Sequence, residues 1–130
     1  MKTRYTVALS LLAGVALGGA AIQGLHAQAN KLKAYTVAEI EIIDASAQPG
    51  YIPAVREAIK EHHGHSLRTL NGRVVGIEGA APPKNVALIE WDSVDDAVAF
   101  YKSKVWTDLA PQRDKSQKTL RRYTVETEKN

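Results

Sequence analysis

The stretch from Asn85 to Arg113 constrains the fold of this chain more than any other. It opens with VALIEW, a run that is apolar except for one glutamate and predicts a buried strand. Within two residues the pattern changes to helical spacing, and Ser93 stands three residues before Asp96. This pair predicts a capping box, because the serine hydroxyl can accept from a free backbone N–H of the first helical turn. A strand that leads directly into a capped helix predicts a mixed α+β fold.

Residues 1–29 have the three-part pattern of a secretory signal peptide. Lys2 and Arg4 give a basic start, an apolar run follows from Val7 to Ile22, and Ala27-Gln28-Ala29 supplies a small-x-small cleavage site. The alternative is an uncleaved membrane anchor, but the run is shorter than the ~20 residues that a spanning helix needs. We therefore expect cleavage after Ala29 and, since the chain has no cysteine, a periplasmic protein without membrane attachment.

The net positive charge of the chain comes mostly from this leader. The leader holds two of the 17 basic residues and none of the 14 acidic ones, so residues 30–130 are close to neutral. Basic residues near the C terminus alternate with acidic ones, as on a solvated helix face. Neither feature predicts a nucleic-acid partner. We expect residues 30–130 to form a single domain that relies on its core, and on a partner subunit, for stability.

The first half of this domain is expected to contain a strand and a helix. Ala34–Ile43 alternates between a small or apolar face and a mixed face, as in a strand. The helix should begin between Pro49 and Pro53, because proline is tolerated in the first turn and not beyond it. Gly64 is expected to end the helix as its left-handed residue.

The middle of the chain contains Asn71-Gly72, a strong turn signal. It predicts either a tight hairpin between Ser66–Leu70 and Arg73–Glu78 or a bulge in one long bent strand. A loop over Gly79–Asn85 then leads to the organising strand.

The second helix is expected to break near Ser103 and to continue from Lys104 to about Lys118, entered or kinked at Pro111. A last strand is predicted over Thr119–Glu128. The resulting order, β-α-β-β-α-β, predicts a ferredoxin-like α+β sandwich, in which two helices cover one face of an antiparallel sheet. The other face of the sheet would be apolar and exposed to solvent in a domain of this size. We therefore expect a homodimer in which the sheets of two copies pack together.

These elements resemble a family catalogued as domain of unknown function 1330, within the dimeric α/β-barrel superfamily. The resemblance covers Ala34 to about Thr127 and rests on AYTVAEIEI, VVGIEGAAPPK, VALIEWDSVDDAVAFYKS and the segment Trp106–Arg113. It implies a ferredoxin-like protomer, a dimer and a pocket between sheet and helices, and it implies no established activity. Members commonly carry Arg-Gly-Gly after the second strand, where this chain has Leu70-Asn71-Gly72.

Three histidines, His62, His63 and His65, lie close to Glu61 at the end of the first helix. Adjacent helical residues point about 100° apart, and the chain has no H-x-x-x-H or H-E-x-x-H spacing here. The pattern is typical of polar residues at a helix end rather than of a metal site. No metal, haem or other cofactor is predicted.

Aromatic side chains with a few polar groups predict a small-molecule pocket. The candidate ligand-binding residues are Tyr35, Glu39, His65, Trp91, Tyr101, Trp106 and Arg113. Arg113 could orient an anionic group, and Glu39 or Glu90 could act as a base if burial raised its pKa. The alternative is ordinary core packing with a Glu–Arg pair.

The sequence holds no nucleophile motif, phosphate-binding loop or dinucleotide fingerprint. The function that it favours is a periplasmic small-molecule-binding domain of unassigned role. The alternative is a cofactor-independent enzyme, monooxygenase- or isomerase-like, that acts on a small organic substrate. This alternative follows from the resemblance alone, since the dimeric α/β-barrel superfamily includes such enzymes.

Overall fold

A computed structural model describes residues 32–69 and 72–128, so the leader predicted over residues 1–29 lies outside them. The elements are β1 (Ala34–Ile42), a 3₁₀ turn (Ala45–Ala47), α1 (Gln48–Glu61), β2 (Gly64–Leu67), β3 (Asn85–Trp91), α2 (Val94–Lys102), α3 (Lys104–Asp108), α4 (Ala110–Ser116) and β4 (Gln117–Glu126). The strands form one antiparallel sheet in the order β2-β3-β1-β4, which is ferredoxin-like, as predicted. No helix among the described residues is both long and apolar enough to span a membrane.

The two faces of β1 differ as its alternating sequence predicted. Ala34, Thr36, Ala38 and Ile40 are at most 3% exposed and lie under the helices. They pack with an apolar core that α1, α2 and β3 supply through Tyr51, Val55, Ala58, Ile59, Ala97, Phe100 and Trp91. Strand alternation therefore sends every second residue of β1 to the opposite, open face of the sheet.

Two serines set the limits of the helices that follow β3. The Ser93 hydroxyl accepts from the backbone N–H of Asp96 at 3.2 Å and donates to the Asp96 carboxylate at 2.6 Å, so the predicted cap is confirmed. Ser103 ends α2 and caps α3, where its hydroxyl accepts from the N–H of Trp106 at 3.3 Å. The predicted break at Ser103 is confirmed, and a second break at Leu109 precedes Pro111.

The start and the end of α1 differ from prediction. The helix begins at Gln48, one residue before the predicted range, and Pro53 lies inside it. Pro53 lacks the N–H that would bond to the carbonyl of Pro49, but both residues are exposed, so water can reach that carbonyl. The left-handed residue is His63, with φ of 63°, and not Gly64, which already begins β2.

The middle of the chain holds less strand than predicted. β2 ends at Leu67 and residues 72–77 have no regular structure, so the predicted strand over Arg73–Glu78 is wrong. The N–H of Gly72 donates to the carbonyl of Thr69 at 2.6 Å. The pairing of β2 with β3 ends at Leu67, opposite Leu88. The last strand begins at Gln117 rather than Thr119, because it pairs with the end of β1.

Gly64 is held where no side chain fits. A Cβ at this position would lie 2.6 Å from Cγ2 of Ile59 and 2.7 Å from the ring of Trp91, both in the core.

We predict that Gly64→Ala destabilises the protein by about 1–3 kcal/mol in urea unfolding, because the added methyl overpacks this contact. Gly50→Ala is the matched control. It has nothing within 4 Å of its Cβ and should stabilise α1 by up to about 1 kcal/mol. Equal effects of the two substitutions would contradict the close packing.

Candidate functional site

The sheet divides the predicted site residues into two groups. Cross-strand partners share a face, so the pairing of Tyr35 and His65 with Glu90 places all three on the open face. Glu39 alternates with the buried residues of β1 and lies on the same face. The helix side holds the other group, Trp91, Tyr101, Trp106 and Arg113. The seven residues therefore do not form one site within a protomer.

The polar groups of the open face are paired with one another. The Tyr35 hydroxyl donates to Glu90 Oε2 at 2.9 Å, and this hydrogen bond raises the pKa of Tyr35. Lys33 lies 3.4 Å from the same carboxylate. Glu39 accepts from Arg121 Nε at 3.2 Å. Glu39 is thus paired with an arginine from β4, and Arg113 lies on the other side of the sheet.

Trp91 belongs to the core rather than to an open pocket. Its ring is fully buried, and its Nε1–H donates to the Thr36 hydroxyl at 2.9 Å. The ring centres of Phe100 and Tyr101 lie 5.3 Å and 6.1 Å away. This aromatic group continues to Trp106, whose ring centre lies 5.0 Å from that of Tyr101.

Two arginines lie over the ring of Trp106. The guanidinium carbon of Arg113 is 4.2 Å from the ring centre and that of Arg122 is 4.7 Å away, distances typical of cation–π contacts. They line a cleft of about 410 Å³, which we call the Trp106 cleft. Its walls are Ile43, Trp106, Arg113, Asp114, Gln117, Lys118, Thr119 and Arg122.

Polar atoms in the Trp106 cleft are buried without a partner among the described residues. They are Nη1 of Arg113, whose side chain is 16% exposed, and Oε1 of Gln117, which is 4% exposed. The Nε of Arg113 is 3.1 Å from the exposed carboxylate of Asp114. Arg122 donates to the Thr119 hydroxyl at 3.3 Å, and burial lowers its pKa. A buried polar group without a partner costs about 1–3 kcal/mol, so this cleft is short of hydrogen-bonding partners.

A β-bulge brings two of these residues to the same face. The register of β4 against β1 shifts between Glu39 and Ile40, so Gln117 pairs with Ile42 while Arg122 pairs with Ala38. Residues five apart on a regular strand point to opposite faces of the sheet. The bulge adds one extra residue between Gln117 and Arg122, so that their side chains point to the same face. Gln117 and Arg122 therefore both face the helices.

A smaller cavity lies between the sheet and the helices, beside the Trp106 cleft. It has about 50 Å³ and shares Trp106, Gln117 and Arg122 with the cleft. The other walls of this cavity are mainly apolar, and they include Ala38, Ile40, Ile52, Val55, Ile59, Ile89 and Phe100. A narrow, mainly apolar recess is thus adjacent to the polar cleft.

Two tyrosines lie beside the arginines, and both are protonated at neutral pH. Burial raises the pKa of Tyr51 to about 12, against the opposing positive charges of Arg122 and Arg113. Burial also raises the pKa of Tyr101. Neither phenol therefore supplies a negative charge to the arginines.

Sequence reasoning missed Arg122 and Gln117. The sequence held a signal for Arg122. Arg121 and Arg122 are adjacent in β4, so alternation places one of them on the face under the helices, where a charged residue is unusual. Gln117 gave no such signal. The predicted helix ran to about Lys118 and therefore included it, and no residue pattern in β4 predicts the bulge.

The histidine cluster forms no common site. His62 packs edge-on against Phe100, with ring centres 5.5 Å apart, and His65 points to the open face opposite Glu90. Within residues 32–69 and 72–128, no group of three His, Cys, Asp or Glu side chains could hold a metal ion.

The fold and the cleft define a ferredoxin-like α+β domain with a polar cleft beside β4. The chain belongs to the family described as Domain of unknown function (DUF1330), whose profile matches residues 33–126. No curated protein shows significant similarity to it.

Two solved structures are similar in fold. One, a protein of unknown function from Rhodopseudomonas palustris, is 15% identical with a TM-score of 0.56, over 82% of this chain and 94% of that one. The other, a dimeric ferredoxin-like protein of unknown function from Bacteroides fragilis, is 9% identical with a TM-score of 0.42, over 74% and 95%.

The shifted pKa of Tyr51 predicts a loss of stability at high pH. An unfolded tyrosine ionises near pH 10, whereas folded Tyr51 keeps its proton to about pH 12. Between these two pH values the unfolded state binds fewer protons than the folded state. The contribution of Tyr51 to the free energy of unfolding therefore falls as pH rises, by about 2 kcal/mol across this range. Urea unfolding from pH 9.5 to 11.5 should show a smaller decline for Tyr51→Phe than for wild type. A Tyr51→Phe curve parallel to wild type would contradict this assignment.

Proposed function

We propose that this protein binds a small organic molecule in the Trp106 cleft and does so in the periplasm, after removal of residues 1–29. One observation carries the proposal: buried polar atoms of Arg113 and Gln117, both on the walls of the cleft, have no partner among the described residues. The volume of about 410 Å³ lies in the range of ~300–1,000 Å³ of small-molecule sites. One aromatic wall, Trp106, with convergent polar groups around it also suits such a site.

Binding without catalysis accounts for the geometry better than a cofactor-independent reaction does. Among the described residues that line the cleft, Asp114 alone is acidic, and its side chain is 70% exposed and beside Arg113. Glu39 lies on the other face of the sheet with Arg121. A general base must lie within hydrogen-bond reach of the atom that it deprotonates, and no carboxylate deep in the cleft meets that condition.

Native mass spectrometry of the protein isolated from its own periplasm tests this proposal. We expect extra mass on each folded protomer, lost on denaturation, because the ligand supplies the missing partners of the cleft. Trp106→Ala should lose this mass, and Val98→Ala, at an exposed site on α2, should keep it. A chain mass that includes residues 1–29 would contradict removal of the leader, and recovery of the protein from the cytoplasmic fraction instead of the periplasmic one would contradict the location. A bare protein that is also not stabilised by any neutral, cationic or anionic metabolite in thermal-shift assays would contradict the binding function.

We also propose that the protein is a homodimer through its open sheet face. Leu67, Tyr123 and Val125 on this face are between 37% and 49% exposed, and Val37 and Leu88 lie between them in register. Monomers rarely expose apolar patches of this kind without a partner. The paired charges of Glu39 and Arg121 lie beside the apolar residues, so a second copy can cover the face without burying an unpaired charge.

Sedimentation of charge variants tests the dimer. We predict that Val125→Asp converts the wild-type dimer to a monomer, or weakens it at least about tenfold, because an unpaired carboxylate would be buried in the interface. Val98→Asp adds the same charge at a comparably exposed site, 43% against 49%, on the helix side. It should leave the dimer intact. Wild type that sediments as a monomer, or dissociation by Val98→Asp alone, would exclude this interface.

A further inference from the structure

The Trp106 cleft has an excess of positive charge. Three basic side chains, Arg113, Lys118 and Arg122, line it with a single acidic one, Asp114. Two of them contact the same indole ring. Burial is the main cause that lowers the pKa of Arg122, and the charge of Arg113 lowers it further. Cations in one partly buried site repel one another, and an anion bound beside them would offset that repulsion.

The arginines are oriented before any ligand arrives. Cation–π contact with Trp106 positions both guanidinium groups, and Arg113 is also held through its Nε by Asp114 at 3.1 Å. This arrangement leaves Nη1 of Arg113 buried and free of partners among the described residues. The planar fork of a guanidinium matches the two oxygens of a carboxylate, which makes this group the best fit.

The amide of Gln117 adds a third polar group to the same cleft. This side chain is 4% exposed, and its buried oxygen has no partner in the described chain. A carboxylate only accepts hydrogen bonds, so it pairs with the N–H end of this amide and not with its oxygen. The bulge in β4 puts Gln117 on the same face as Arg122. A bulge that brings two polar side chains into one cleft is typical of a binding site.

The size and walls of the inner recess limit the rest of the ligand. The recess has about 50 Å³ and apolar walls, and it meets the cleft at Trp106, Gln117 and Arg122. A carboxylate at the arginines can therefore extend a short apolar tail inward, and a long or charged tail would not fit.

We propose that the ligand of the Trp106 cleft is a small organic carboxylate with a short apolar tail, held by Arg113 and Arg122. This inference rests on the proposed binding function and adds the chemical class of the ligand. The carboxylate accepts from the buried Nη1 of Arg113, Arg122 supplies the second positive charge of the cleft, and the tail points toward the recess.

Calorimetric titration of the purified wild-type protein with four probes tests this class. Butyrate should bind, and butyramide and butylamine, which have similar shape without the negative charge, should bind at least about tenfold more weakly. Acetate should bind more weakly than butyrate, because it leaves the recess empty.

Single substitutions then test the two arginines. Arg113→Gln and Arg122→Gln should each weaken butyrate binding at least about tenfold, because a charged hydrogen bond is lost. Arg121→Gln is the matched control, since it changes the neighbouring arginine on the opposite face and should leave butyrate affinity unchanged. Circular dichroism and sedimentation confirm the fold and the oligomeric state of each variant. Arg122→Lys, which keeps the charge, replaces Arg122→Gln if the latter does not fold.

The outcomes separate this inference from the binding function itself. Butyramide or butylamine binding as tightly as butyrate would overturn the carboxylate class. So would the absence of binding by both carboxylate probes, or a neutral molecule retained in native mass spectrometry, although that retained molecule would still support a binding function. Equal loss of butyrate affinity in Arg121→Gln and Arg122→Gln would overturn the placement of the carboxylate.

Discussion

The buried ring of Trp91 is the contact on which the rest of this structure depends. It is fully buried, so its N–H needs a partner inside the protein, and the Thr36 hydroxyl provides one at 2.9 Å. That hydroxyl also bonds to the hydroxyl of Thr124 at 2.7 Å, so one chain of hydrogen bonds crosses β3, β1 and β4. On its other side the ring lies against Gly64, which fixes the start of β2. One indole thus sets the positions of all four strands.

The candidate site is built outward from this ring. Phe100 packs against Trp91 and also against Trp106, with ring centres 5.3 Å and 5.4 Å apart. Ser103 ends α2 and caps the short helix that carries Trp106, and the indole of Trp106 then orients Arg113 and Arg122. The two guanidinium groups are therefore supported by a packed aromatic layer, and the precision of the cleft derives from the core.

Local patterns in the sequence predicted most of the helices and strands. The features that they did not predict depend on contacts between residues far apart in the sequence. Ser93 and Ser103 act through neighbours three residues away, so their caps could be read directly. The faces of β1 followed from simple alternation. The grouping of Glu39 with Arg113 failed because Glu39 alternates with the β1 residues that lie under the helices, whereas Arg113 belongs to α4 on the helix side of the sheet. The strand predicted over residues 73–78 failed likewise, because these residues pair with no strand of the described sheet.

The bulge in β4 decides which of its side chains lie on each face of the sheet. β4 is an edge strand, and an irregular register weakens the edge as a template for pairing with another chain. The same irregularity leaves Arg121 on the open face beside Glu39 and directs Gln117 and Arg122 to the cleft. A regular strand would send one of this last pair to the open face, where an unpaired polar group would disturb an apolar surface. One extra residue thus lets β4 supply polar groups to a binding cleft while its other side stays suited to a partner subunit.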